Sequence, residues 1–67
     1  MGEVAHTTEI SARSDSSFED AVKLGIEHAN RTLRNVRSAW IKEERVDVHN
    51  EVIVLFQVNL LVTYIVD

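Results

Sequence analysis

This 67-residue chain has no cysteine and no proline, and only two glycines. Without cysteine no disulfide can staple the fold, and nothing indicates an oxidising compartment. Gly2 and Gly25 alone cannot build a glycine-rich phosphate loop. His6, His28 and His49 are scattered without metal-ligand spacing, and no HExxH-type motif occurs. No nucleophile–base–acid arrangement is visible, so nothing argues for an enzyme. Basic residues are outnumbered, seven to eleven, giving a net charge of −4 with no basic run. Such a chain offers no footing for non-specific nucleic-acid binding. The opening MGEVAHTTEIS holds no apolar signal core, and His6 stands where an N-myristoylation site needs a small hydroxyl residue. The expectation is a soluble, cytoplasmic protein with neither a membrane nor a nucleic-acid partner.

Size adds a further constraint. Chains this short bury only about 60% of their unfolded surface and usually lean on disulfides, metals or partner subunits. With the first excluded and no metal motif, oligomerisation is the support that remains. The 45% apolar content suits a folded globule.

The dominant feature is residues 51–67, EVIVLFQVNLLVTYIVD, apolar, β-branched and charged only at its ends. The run is too short for a transmembrane helix and carries Gln57 and Asn59. Read with period two, Val52, Val54, Phe56, Val58, Leu60, Val62, Tyr64 and Val66 form one face without a strongly polar member. The alternate face, with Ile53, Leu55, Leu61 and Ile65, is also largely apolar, with Gln57 and Asn59 near its centre.

Before it, residues 4–12 have the Thr and Ile content of a strand. Residues 13–17 (RSDSS) are a turn and cap cluster in which Ser16-x-x-Glu19 has the form of a capping box, with Ser14 as the competing cap. A helix follows over residues 16–34, with Phe18, Val22, Ile26 (or Gly25), Ala29 and Leu33 at helical spacing. Acids in its first turn and arginines in its last suit the helix dipole. Gly25 costs the helix about 1 kcal/mol against alanine, and close approach of a strand backbone is the reason expected for it. Asn35 is a good terminator. Residues 36–48 form a second strand. Period two puts Val36, Ser38, Trp40, Lys42, Glu44, Val46 and Val48 on one face, and Arg37, Ala39, Ile41, Glu43, Arg45 and Asp47 on the other. His49-Asn50-Glu51 reads as a hairpin connection.

The expected fold is α+β: one domain over residues 1–67, β-α-β-β, with a three-stranded antiparallel sheet against one helix. One helix covers one face. Each fully buried large aliphatic contributes about 1.5–3 kcal/mol, so four left bare on the other face of the final strand call for a partner. An obligate homo-oligomer is expected.

Three residues stand out as ligand candidates. Trp40, the only Trp, is either packing or a stacking surface for a planar ligand. Gln57 is either an interface hydrogen-bonder or a bidentate contact to an amide-like edge. Arg45 is either a surface charge or a phosphate contact. Asn59 serves structure or ligand. The remaining charges of the second strand read as a solvated face.

Ser16-Ser17-Phe18 with Ala21, then Thr32-Leu33-Arg34-Asn35-Val36, then Phe56-Gln57-Val58, in this order and spacing, resemble a dodecin over residues 8–66. The resemblance implies a sheet wrapped around one helix and twelve copies assembled into a hollow shell. It also implies flavins (riboflavin, FMN or lumichrome) held in pairs between symmetry-related tryptophans, for storage or protection and not for catalysis. Gln57 falls on the family's flavin-contacting Gln, and Arg45 on an Arg near the ligand phosphate. The stacking Trp falls where this chain has Ser38, and Trp40 follows two residues later on the same face. The resemblance thus implies a flavin-binding dodecamer with Trp40, Gln57, Arg45 and Ser38 at the cofactor. The alternative is a shell of the same kind that binds ions or another small ligand.

Overall fold

The computed structural model describes residues 2–66. They form β1 (Ala5–Ser14), α1 (Phe18–Thr32), β2 (Val36–His49) and β3 (Val52–Ile65). The sheet order is β1-β3-β2, with both pairings antiparallel, so the most apolar strand is central. No described helix is long and apolar enough to cross a membrane.

β1 runs further than its composition suggests, because pairing with β3 continues to Ser14 opposite Phe56. That moves the helix start. The N-cap is Ser17, in extended conformation, whose hydroxyl accepts from the Asp20 amide at 3.0 Å. The Ser16–Glu19 capping box does not form. Ser14 is buried and turns the chain instead: it accepts from the Ser16 amide at 2.9 Å and donates to the Asp20 carboxylate at 2.7 Å. The helix ends at Thr32, two residues before the expected Arg34, and Asn35 takes the left-handed conformation (φ 57°) that asparagine tolerates. Between β2 and β3, Asn50 and Glu51 both have positive φ, 51° and 66°. This is the two-residue turn whose twist matches a hairpin.

The face reading of β3 holds. Val58, Leu60 and Val62 are fully buried, together with Ala12, Ala21 and Ala29. The helix, however, makes its closest approach to the sheet through small residues. Ala21, Gly25 and Ala29 are its buried positions, and Phe18, Val22, Ile26 and Leu33 flank this line. Small residues at i, i+4 spacing let the helix axis approach, while the larger ones wrap the sides. Phe18 meets Phe56 edge-on, with ring centroids 5.2 Å apart.

β-Bulges break the period of β2 between Val36 and Ser38 and between Ile41 and Glu43, and a third irregularity, opposite Asp47 and Val48, skips Val54 of β3. A strict two-residue alternation therefore fails for this strand. Val36, Ala39, Ile41, Glu44 and Val46 share the helix side, being paired with the inward residues of β3. Ser38, Trp40, Glu43, Arg45 and Asp47 share the outer side. Each bulge adds a residue on one strand and resets the face of everything after it.

The hairpin outruns the helix. The molecule extends 53 Å along its longest axis, and Val52, Val54 and Val48 near the turn are exposed although Val52 and Val54 belong to the all-apolar face. The expectation that this whole face lies under the helix is therefore corrected at the hairpin end.

Gly25 is explained by side chains and not by a strand backbone. A Cβ there would lie 2.7 Å from Leu60 Cδ1 and 3.3 Å from Ala12 Cβ. Leu60 is fully buried and Ala12 has no rotamer to change. Gly25→Ala is thus expected to destabilise the protein: overpacking costs about 1–3 kcal/mol, which outweighs the roughly 1 kcal/mol gained in helix propensity. Denaturant unfolding beside the native chain measures this, and a gain in stability would show that the helix–sheet contact has room to spare.

Candidate functional site

The outer side of the sheet carries the candidates. Arg45 is paired directly with Gln57, and Gln57 is paired on its other side with Arg13. Cross-strand neighbours of this kind have Cβ atoms about 4.5–5.5 Å apart. The bulge at Lys42 is what brings Arg45 to this side. Uniform alternation would have put Arg45 and Trp40 on opposite faces, whereas the structure places both beside the outward residues of β3.

Gln57 is buried to 9% exposure even in the single chain, while Trp40 is 50% exposed. Trp40 is paired with Leu61, and Ser38, exposed, with Thr63. Trp40 is therefore four residues along the sheet from Gln57, about 13 Å at the usual strand rise, and Ser38 lies further still. One chain brings Arg45 and Gln57 together. It does not bring Trp40 or Ser38 to them.

The two arginines beside Gln57 differ in their surroundings. Arg13 is engaged by Asp47 across β3, whereas Arg45 makes no ion pair among the described residues. A guanidinium with unused donors beside a largely buried amide is suited to an anionic group on a ligand whose polar edge meets that amide.

A polar network continues from Gln57. Its Nε2 donates to Asn59 Oδ1 at 2.9 Å, and Ser11 donates to the same oxygen at 3.0 Å. Asn59 Nδ2 reaches Glu9 Oε2 at 3.5 Å, and Lys42 Nζ donates to Glu9 Oε1 at 3.0 Å. The hydrogen bond it donates to Glu9, followed by the negative charge of Glu9, raises the Lys42 ammonium above its ordinary pKa of 10.5. Glu9, Ser11, Lys42 and Arg13 were not singled out by the sequence pattern. Their roles depend on the β1–β3 register and on the bulge, and neither leaves a residue-level signal.

Among the described residues, no group of three or more His, Asp or Glu converges to hold a metal ion. The cleft of the single chain lies elsewhere, between the end of α1 and the end of β3, lined by Leu33, Arg34, Asn35 and Tyr64. It touches none of the four candidates.

The family model described as Dodecin matches residues 4–67. No curated protein matches the sequence. Among solved structures, the dodecin of Streptomyces davaonensis is similar with a TM-score of 0.93 at 25% identity, covering 100% of this chain and 98% of that one. A Thermus thermophilus protein is similar with a TM-score of 0.92 at 26% identity, covering 98% and 97%. The calcium dodecin of Mycobacterium tuberculosis, described as calcium-chelating, is similar with a TM-score of 0.84 at 20% identity, covering 96% and 91%, a likeness of fold alone.

The Lys42–Glu9 pair yields a pH prediction. Because the folded state raises the Lys42 pKa, the pair contributes fully below the ordinary lysine value of 10.5 and is lost as pH rises past the folded value. The stability difference between the native protein and Lys42→Gln should therefore be constant near neutrality and vanish in strong alkali. A difference that persists unchanged at high pH would contradict the pairing.

Proposed function

This chain belongs to the dodecin family, and on that premise we propose that it is a flavin-binding storage or sequestration protein, not an enzyme, acting as a cytoplasmic homododecamer around a hollow interior. The observation that carries the reading is the Arg45–Gln57 row: a sheltered amide beside a cation that, among the described residues, has no ion-pair partner, on the face of the sheet opposite the helix.

The chemistry fits an isoalloxazine. Its imide edge offers an N–H beside a carbonyl, which is what a glutamine amide pairs with in bidentate fashion. Arg45 suits the phosphate of FMN, and riboflavin makes the same edge contact without it. The half-exposed Trp40 indole supplies a stacking face. Since Trp40 lies far along the sheet from Gln57 of its own chain, the ring and the amide that meet one flavin come from different copies. Ser38, at the position of the family's stacking ring, leaves space beside the displaced indole. Stacking on an indole quenches the flavin excited state, which suits protection.

The ion-binding reading is supported by the fold likeness to the calcium dodecin and by Ser38 in place of a ring. It requires carboxylates from several copies, because the described residues of one chain do not converge on a metal site.

Titration of FMN or riboflavin with the purified assembly is expected to quench flavin fluorescence. Trp40→Ala should weaken binding roughly tenfold, the scale of one stacked ring. Arg45→Ala should weaken FMN by a similar factor, the scale of a hydrogen bond to a charged group, and leave riboflavin nearly unchanged. Flavin that stays fluorescent at micromolar protein, with calcium bound in calorimetry, would overturn the flavin reading in favour of the ion-binding one.

A further inference from the structure

We infer that Glu9, held by Lys42, sets the direction of the Gln57 amide through Asn59, and so makes the site select a ligand edge that donates an N–H. The inference rests on the ligand reading above for its consequence, but not for its geometry. An ionised carboxylate only accepts hydrogen bonds. Glu9 Oε1 accepts from the Lys42 ammonium at 3.0 Å. Asn59 must therefore turn its Nδ2 toward Glu9, as observed. Its Oδ1 then faces Ser11 and Gln57, and both donate to it. Gln57 in turn must give Nε2 to Asn59, which leaves Oε1 as the acceptor on its free side. Each amide could be turned over in isolation, but the charge at Glu9 fixes both.

Glu9, Lys42 and Asn59 are positioning residues in this scheme and touch no ligand. The site would favour a flavin with a free imide N–H over one alkylated at that nitrogen. Carboxylate-to-amide replacement at Glu9 is isosteric and solvent-exposed, so the fold tolerates it. It also inverts the chain of donors. Lys42 takes the new carbonyl, the new NH2 donates to Asn59, Asn59 turns over with the Ser11 hydroxyl following, and Gln57 presents its NH2 to the ligand.

Two readouts test this on the assembled protein. In isotope-labelled, ligand-free protein, the Gln57 side-chain NH2 resonances should be displaced by the hydrogen bond to Asn59, and Glu9→Gln should move them. In flavin titrations, Glu9→Gln should lower riboflavin affinity by about threefold to tenfold, the factor one neutral hydrogen bond carries. Affinity for N3-methylriboflavin should not fall, so the preference for the free imide shrinks by the same factor. Unchanged Gln57 resonances and an unchanged preference would overturn the inference. A native protein that quenches neither flavin would refute the flavin reading instead, and the Gln57 resonances would still decide the orientation.

Discussion

A helix rises about 1.5 Å per residue and a strand about 3.3 Å. The fifteen residues of α1 therefore span roughly half the length of the fourteen-residue strands they pack against. The uncovered apolar surface of the molecule follows from this mismatch. The helix covers one side of the sheet, over β1 and β3, and leaves the hairpin end and the whole outer side without cover from its own chain. Val48, Val52, Ile53 and Val54 stand in solvent as a result. On the proposed function, their burial against other copies would supply the missing part of the core for a chain with no disulfide.

The same constraint bears on the polar residues of the outer side. A side of sheet that will be covered by another copy can carry polar groups only if they are satisfied, since a buried unpaired amide costs about 1–3 kcal/mol. Gln57 and Asn59 meet this condition through Ser11, Glu9 and Lys42. What remains unspent in the row is the Arg45 guanidinium and the free side of Gln57, a small polar patch within an apolar interface. On the proposed function, ligand binding and assembly would draw on one surface, and flavin at the junction of copies would be held by the contacts that hold the copies together.

Much of this was legible in the residues. The alternation of β3 marked Val58, Leu60 and Val62 as core, and the excess of apolar residues on both its faces pointed to partners. The β-α-β-β order and the hairpin followed from Asn50 and from the polar break around it. The failures have one physical source, which is that sequence spacing does not report register. The bulge at Lys42 put Arg45 on the side shared by Trp40 and Gln57, and no residue in VRSAWIKEERVDV announces where a strand will bulge. Ser17 displaced Ser16 as the cap because the last pairs of β1 carried Ser14 into the turn. Gly25 was recognised as a close approach, but its neighbours proved to be Leu60 and Ala12 side chains. The Glu9–Asn59–Gln57 chain joins residues some fifty positions apart and exists only once the β1–β3 register is set.

The claim beneath all of this is that a single copy cannot satisfy its own sheet. Native mass spectrometry of the purified protein near neutral pH tests it most directly. The account predicts one species at twelve times the mass of the chain, with no folded monomer in exchange with it. A stable, folded monomer under those conditions would contradict it.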